Sequence, residues 1–334
     1  MTIPESFLVI VKCMTFNHHA YIEDAMNGFC MQKTDFPYLC IVMDDCSTDG
    51  EQEVIKKYVV EHFNSRTDEE TDAYTLNLCQ HKENENCYFA VFYLKYNHYS
   101  IKKDKTPYYA RWQDKCKYIA LCEGDDYWID ENKLQRQAVF LEENKEYSMV
   151  FHKAKIVYEL GCEKTSLKSI NIKNKEYKAK ELLEHWIVPT ASILCKKEMQ
   201  QYPIKGDNRI LNGDIFIVMK CCAIGKVWGM EYEMSVYRVQ KNGVTYDKNL
   251  HKSRIMCYPQ HFECLKENFP NVAPLFIRTR ISSSYYDRAK IQASLSNKTH
   301  DYIMSFITNP LWFMATISGV KKIIKCVLTK TKVA

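Results

Sequence analysis

Two apolar segments in the first half of this chain each lead to a pair of adjacent aspartates, and this arrangement limits what the chain can fold into. Leu39–Met43 (LCIVM) is followed by Asp44-Asp45, and Tyr118–Cys122 (YIALC) is followed, through Glu123-Gly124, by Asp125-Asp126. Short apolar runs with β-branched residues predict buried strands. Phe7–Cys13 (FLVIVKC) and Tyr88–Leu94 (YFAVFYL) predict two more, and Met149–His152 starts another. Ala20–Cys30, Glu51–Phe63 and Leu134–Glu143 carry helical spacing between them. Strand alternating with helix predicts an α/β fold, with a mainly parallel sheet covered on both faces. In such a sheet, ligands bind at the C-terminal ends of the strands, where the two acid pairs fall.

The remaining elements are less regular. Ser65–Asn86 is polar and mixed in charge and reads as a surface insertion. Tyr99–Arg111 is basic and aromatic. Ala191–Cys195 and Val227–Val239 read as extended, Asp214–Ile224 as a helix, and residues from 249 onward as a helical C-terminal appendage. Apolar residues make up 46 % of the 334, enough for a substantial core. The net charge of +5 is too mild to point to nucleic acid, so no nucleic-acid partner is expected. The 15 cysteines do not read as a secreted disulfide framework: many lie inside apolar runs, and Met1–Ser6 has no basic leader region. Cys221-Cys222 has no spaced second pair, which disfavours a zinc site.

Each acidic group has a structural and a chemical reading. Ser47, Thr48 and Asp49 suit the start of the following helix, which leaves Asp44 and Asp45 needing another role. A carboxylate there can accept hydrogen bonds from a base N–H or from ribose hydroxyls. Glu123, Asp125 and Asp126 form either a solvated acidic turn or a set of oxygen ligands for Mg²⁺ or Mn²⁺ against a diphosphate. Asp214, in Asn212-Gly213-Asp214, either caps a helix or takes the proton from an acceptor hydroxyl.

Taken in order, these segments resemble family 2 glycosyltransferases of the GT-A fold, of the bacterial polysaccharide type. Cys13-Met14-Thr15-Phe16-Asn17 is similar to that family's first strand and turn. Met43-Asp44-Asp45-Cys46-Ser47-Thr48-Asp49-Gly50 is similar to its V-D-D-x-S-T-D-G segment. Ala120–Trp128 with Lys133-Leu134-Gln135 is similar to its DXD-type region, and Asn212-Gly213-Asp214 and Ser235–Val239 to its acceptor-side elements. The resemblance spans roughly residues 5–245. It implies a GT-A catalytic domain over 1–245, with a nucleotide-binding half of about 1–130 and an acceptor half of about 131–245. Residues 246–334 would then form a helical C-terminal region.

The same resemblance implies that Thr15, Phe16 and Asn17 line the nucleoside pocket, with Phe16 on the base. Asp45 would read the base edge with Asp44 supporting it, Asp125 would approach the ribose or sugar, and Asp126 would ligate Mn²⁺ or Mg²⁺. Asp214 would be the catalytic base of an inverting transfer. The donor would be a nucleotide-sugar, by default a UDP-sugar, and the acceptor a glycan or lipid-linked saccharide of surface polysaccharide synthesis. Lys95–Lys103 departs from the family pattern: His98 and Tyr99 stand where small residues are expected.

A sugar nucleotidyltransferase would carry a glycine-rich loop after its first strand, and Met14–His19 has no glycine. A non-catalytic binding module is disfavoured by the joint presence of Asp45, Asp126 and Asp214. Tyr302–Val320 has no charged side chain and is followed by Lys321, Lys322, Lys325, Lys330 and Lys332. That pattern predicts either a helix packed on the protein or peripheral contact with an anionic membrane. The expected location is cytoplasmic, at the inner face of the membrane if the contact exists.

Overall fold

The computed structural model describes residues 3–159, 162, 171–184, 187–240 and 248–316. The chain divides into two compact units. The first comprises residues 1–178, 186–201 and 224–240, and the second 179–185, 202–223 and 241–334.

In the first unit the elements run β1 (Val9–Thr15), α1 (Ile22–Cys30), β2 (Tyr38–Asp44), α2 (Glu51–His62), β3 (Phe63–Glu70), β4 (Tyr74–His81), β5 (Cys87–Leu94), α3 (Thr106–Gln113), β6 (Tyr118–Leu121), β7 (Tyr127–Trp128), α4 (Lys133–Glu143), β8 (Tyr147–Tyr158) and β9 (Lys175–Tyr177). After an excursion through the second unit's α5 (Ala179–Glu184) come β10 (Leu194–Lys196) and, following α6 (Gly213–Ile224), β11 (Lys226–Val239). Ten strands lie in the order β3-β4-β5-β2-β1-β6-β10-β8-β11-β7, and β9 pairs with β11.

The four central strands β5, β2, β1 and β6 are parallel. β2 and β5 are buried along their whole length, which explains their unbroken apolar sequences. The flanks are mixed: β10 runs antiparallel to β6 and β8, while β11 runs parallel to β8. The parallel character expected from sequence therefore holds in the centre and gives way at the sides. The expected insertion at 65–86 is instead a hairpin, β3–β4, that extends the sheet by antiparallel pairing with β5. β4 buries Tyr74, Leu76 and Leu78 on alternate positions, whereas β3 buries Phe63 and leaves most of its polar residues in solvent.

β1 sits between β2 and β6: the chain builds outward on one side from β1 to β2 and β5, and then returns past β1 to place β6 on its other side. That is the switch point at which the strand ends open a crevice. Phe29 packs edge-on against Trp128 with ring centroids 4.9 Å apart, and the Trp128 indole N–H donates to Ala191 O at 2.9 Å. These contacts fix α1 and the segment after β6 beneath the switch point.

The second unit consists of α5, α6, α7 (Lys248–Asn268), α8 (Pro274–Ile291), α9 (Leu295–Thr308) and α10 (Pro310–Ala315). The helical C-terminal region was expected to begin near 246, yet residues 202–223 group with it. Tyr202 and Phe216 pack on Phe269, and Arg209 pairs with Glu267. α8 and α9 are joined by a buried bidentate pair, Arg288 Nε and Nη2 to Asp301 Oδ2 and Oδ1 at 2.9 and 2.7 Å. Within the uncharged C-terminal stretch, Tyr302, Ser305 and Phe313 are buried, while Ile303, Phe306, Ile307, Leu311 and Met314 are exposed. Among the described residues no helix is long and apolar enough to cross a membrane. The lysines from 321 to 332 lie outside the described residues.

Candidate active site at the sheet switch point

Three turns leave the C-terminal ends of β1, β2 and β6, and backbone hydrogen bonds join them just beyond the strands. Asp45 N donates to Thr15 O at 3.0 Å, Cys122 N to Lys12 O at 3.1 Å, and Gly124 N to Met14 O at 3.3 Å. Gly124 is required at this seam. A Cβ there would lie 2.1 Å from Thr15 Oγ1 and 2.7 Å from Thr15 Cβ.

The β1 and β2 turns are locked by a carboxylate that the sequence did not single out. Glu51, fully buried in the first turn of α2, accepts from Thr15 Oγ1, from His18 N at 2.8 Å and from Ser47 Oγ at 2.8 Å. Burial pushes its carboxyl up, and these donors work the other way. Thr15 Oγ1 also lies 3.0 Å from His18 Nδ1. Asn17 completes the bracket: its N–H donates to Ser47 Oγ at 2.9 Å, and its Oδ1 accepts from Thr48 N at 2.8 Å. Asn17 and Cys46 hold φ of 57° and 62°, left-handed values that L residues adopt at some cost. Two such residues on adjoining turns mark a shape imposed by the site.

Asp44 and Asp45 divide their tasks by direction. Asp44 points into the fold: its Oδ1 accepts from Ser47 N at 3.0 Å and Gln52 Nε2 at 2.6 Å, so it shapes the turn. Asp45 forms the floor beneath the loop after β5. Its Oδ1 accepts from His98 N at 2.7 Å, and its Oδ2 accepts from Tyr99 N at 3.0 Å and Lys105 Nζ at 2.8 Å. Burial disfavours its charge, but the Lys105 ammonium and the His98 and Tyr99 N–H groups outweigh that and hold its carboxyl below the usual range. The His98 ring is fully buried, lies flat on Tyr96 at 4.4 Å and reaches the Tyr108 hydroxyl at 2.9 Å. His98 and Tyr99, which stand where small residues were expected, therefore hold Asp45 through their backbone N–H groups. Phe16 is 41 % exposed at the crevice, available to pack on a planar group.

Of the acidic group after β6, Glu123 is exposed and Asp125 is partly exposed, whereas Asp126 is 2 % exposed. Asp125 Oδ2 accepts from Gln240 Nε2 at 2.8 Å and stands 3.9 Å from His18 Nε2. Asp126 Oδ1 accepts from the Arg238 backbone N–H at 2.9 Å, tying this turn to β11. Burial, reinforced by the charge of Asp125, pushes the Asp126 carboxyl well up. Asp126, the residue expected to ligate the metal, is the buried member of the group, with one oxygen held by the Arg238 N–H. The more exposed carboxylates of the group are those of Glu123 and Asp125. Carboxylate oxygens are the ligand type that suits a hard divalent ion. Among the described residues no three His, Cys, Asp or Glu side chains form a ready-made metal cluster. A site of one or two carboxylates completed by phosphate and water needs none.

Asp214 lies in the second unit, in the first turn of α6, where its Oδ1 accepts from Ile215 N at 2.9 Å. The approach to that helix is fixed within the unit by Leu211 N donating to His261 Nδ1 at 3.2 Å and by Arg254 on Asn212 Oδ1.

No protein-family model matches the chain. It is 23 % identical over 239 residues to uncharacterised proteins of Mycobacterium bovis and Mycobacterium tuberculosis, covering 70 % of this chain and 59 % of theirs. The chain thus spans 59 % of the length of the curated relatives it matches. Among solved structures it is similar to residues 1–349 of S. aureus TarS in complex with UDP. That superposition has a TM-score of 0.54 at 12 % identity and covers 98 % of this chain and 92 % of the other. The architecture is that of the GT-A fold.

Proposed function

We propose that this chain is a metal-dependent, inverting glycosyltransferase of the family 2 type. It would transfer a hexosyl or N-acetylhexosaminyl group from a nucleotide-sugar to a glycan or lipid-linked acceptor in surface polysaccharide synthesis. The observation that carries this reading is the seam of three turns at the switch point, which gathers Phe16, Glu123 and Asp125 at the strand ends with Asp45 buried in the turn after β2. Phe16 offers a face to the base, and Asp45 would read a base N–H by exchanging one of the donors that now hold it, His98 N–H, Tyr99 N–H or Lys105. UDP is the expected nucleotide, in keeping with the ligand of the similar TarS structure.

Asp125, with Glu123 beside it, would hold Mn²⁺ or Mg²⁺, and Asp126 would set the turn that presents them. The ion, when bound, supplies positive charge to the leaving diphosphate. Asp214 would accept the proton of the acceptor hydroxyl, and one such base fits a single displacement with inversion. Peripheral contact with the inner face of the cytoplasmic membrane is part of the proposal. The exposed Ile303, Ile307, Leu311 and Met314, followed by five lysines, support it.

The test is calorimetry and nucleotide release with UDP-, GDP- and dTDP-sugars in Mn²⁺, Mg²⁺ or EDTA. Metal-dependent binding of one donor is expected. A folded protein that binds none of them would overturn the assignment.

A further inference from the structure

We propose that the groove between α4 and β11 is a saccharide-binding subsite, which holds a glycan chain apart from the strand ends. The groove has a volume of about 540 Å³ and is built wholly within the first unit. Half of its lining is planar polar side chains, those of Asn132, Gln135, Arg136 and Glu143, and half is apolar, with Phe140 and Tyr232 the aromatic members. A sugar ring presents a face of C–H groups that packs on an aromatic ring. Its edge carries neighbouring hydroxyls that both give and accept hydrogen bonds. Two amides, a guanidinium and a carboxylate supply two-pronged partners of both kinds. A protein partner calls for a more apolar centre.

Local structure makes these side chains available. In the pairing of β11 with β8, Met230 lies opposite His152 and Glu233 opposite Lys153, so Glu231 and Tyr232 are extra residues on β11. Bulges re-aim side chains, and Tyr232 is left 47 % exposed. The Arg136 guanidinium lies 4.7 Å from the centre of its ring and holds it against α4. Phe140 is steadied by Trp228, stacked on it with ring centroids 5.4 Å apart. Asn132 stands at the N-cap of α4, where an amide oxygen ordinarily accepts a helix N–H. Its side chain makes no such bond, and Gln32 Oε1 instead takes the Leu134 N–H at 3.0 Å. The capping duty has passed to Gln32, and the Asn132 amide is left for a ligand. Gln135 Oε1 accepts from Asp35 N at 3.0 Å, which pins its amide with the N–H donors still to give.

The groove and the acidic turn both rest on β11. Tyr232 precedes Arg238, whose N–H holds Asp126, by a separation of roughly 20 Å along an extended strand. A glycan of several sugars spans that distance, and a growing acceptor chain is the glycan that fits. Its identity as acceptor rests on the proposed transfer, whereas the binding itself does not.

The test uses the full chain and saturation-transfer NMR with chitohexaose, cellohexaose, maltohexaose and mannohexaose as probes. At least one should receive saturation from the wild type. Its affinity by titration should fall about tenfold in Tyr232→Ala, which removes one stacked ring. Arg136→Ala should weaken it too. Both positions are exposed, so the urea midpoint and UDP affinity of each variant should match the wild type. No saturation of any probe, or equal affinity in wild type and Tyr232→Ala, would overturn the proposal. So would a wild-type dimer that Tyr232→Ala splits in sedimentation, since the groove would then belong to a second copy. A chain that binds a hexasaccharide through Tyr232 but binds no nucleotide-sugar would sink the proposed transfer and leave this subsite standing.

Discussion

Replacing Gly124 with alanine would drive a methyl group into the place where the β6 turn meets the β1 turn. The new Cβ would stand 2.1 Å from Thr15 Oγ1, more than an ångström inside normal contact, and 2.7 Å from Thr15 Cβ. Thr15 has little freedom to rotate away, because its hydroxyl is held by Glu51 and lies 3.0 Å from His18 Nδ1. Either those bonds yield, or the Gly124 N–H leaves Met14 O. Overpacking costs about 1–3 kcal/mol, and each neutral hydrogen bond about 1 kcal/mol. The expected loss is therefore about 2–3 kcal/mol, read as a lower urea midpoint at unchanged slope. The turn that carries Asp125 should also shift, and a displacement of about 1 Å costs turnover about a hundredfold. UDP affinity, followed by calorimetry, should fall with it. Gly213→Ala is the control: its Cβ would meet no atom within 4 Å, so its midpoint should match the wild type or exceed it slightly. Adding Thr15→Ala to Gly124→Ala should be less than additive, since it removes the hydroxyl but leaves the Cβ contact. If Gly124→Ala has the wild-type midpoint and UDP affinity, the argument that this seam fixes the site is wrong.

Further outcomes follow from other side chains. Asp45 has a folded pKa below its unfolded one, so its stabilising contribution is present above the unfolded value and lost as pH falls through the folded value. Asp45→Asn should flatten the acid limb of stability against pH, and an unchanged limb would refute the ion pair with Lys105. Asp125→Asn should abolish metal-dependent donor binding, whereas Asp126→Asn, which keeps the acceptor for Arg238 N–H, should retain much of it; the reverse order would return the metal to Asp126. Asp214→Asn should bind donor with wild-type affinity in calorimetry yet transfer no sugar, and retained transfer would exclude it as the base. In the second unit, Asp301→Ala leaves Arg288 buried and unpaired and should cost about 3–5 kcal/mol by urea denaturation. Asp287→Ala, at an exposed pair, should cost under about 1 kcal/mol.

The parallel heart of the sheet was legible because burial on both faces demands unbroken apolar strands, and VIVKCMT, YLCIVMD and CYFAVFYL provide them. The three turns were legible because acids at strand ends are costly without a purpose. The hairpin was missed for the opposite reason. β3 lies at one end of the sheet and needs only Phe63 inside, so its sequence, FNSRTDEE, reads as a solvated loop. The alternation in β4, YTLNLCQH, was the usable signal. Side-chain direction within adjacent acids was not legible. Asp125 and Asp126 are chemically identical, and only the pairing of this turn with Arg238, 112 residues further on, turns one of them inward. Glu51 was missed because an acid in the first turn of a helix already has an ordinary electrostatic reason to be there.

The composition of β3 also bears on how the molecule avoids its own kind. An end strand offers a row of unpaired backbone groups to any other strand that approaches, and stacking of sheets edge to edge is a common route to insoluble assemblies. Here that border presents Arg66, Asp68, Glu69 and Glu70 within five residues, and Arg111 Nη2 reaches Asp68 Oδ2 at 3.0 Å from the side. A second copy arriving there would have to strip water from these charges before gaining a ladder. The polar run that looks superfluous to the crevice thus protects this edge of the sheet from growing by recruitment.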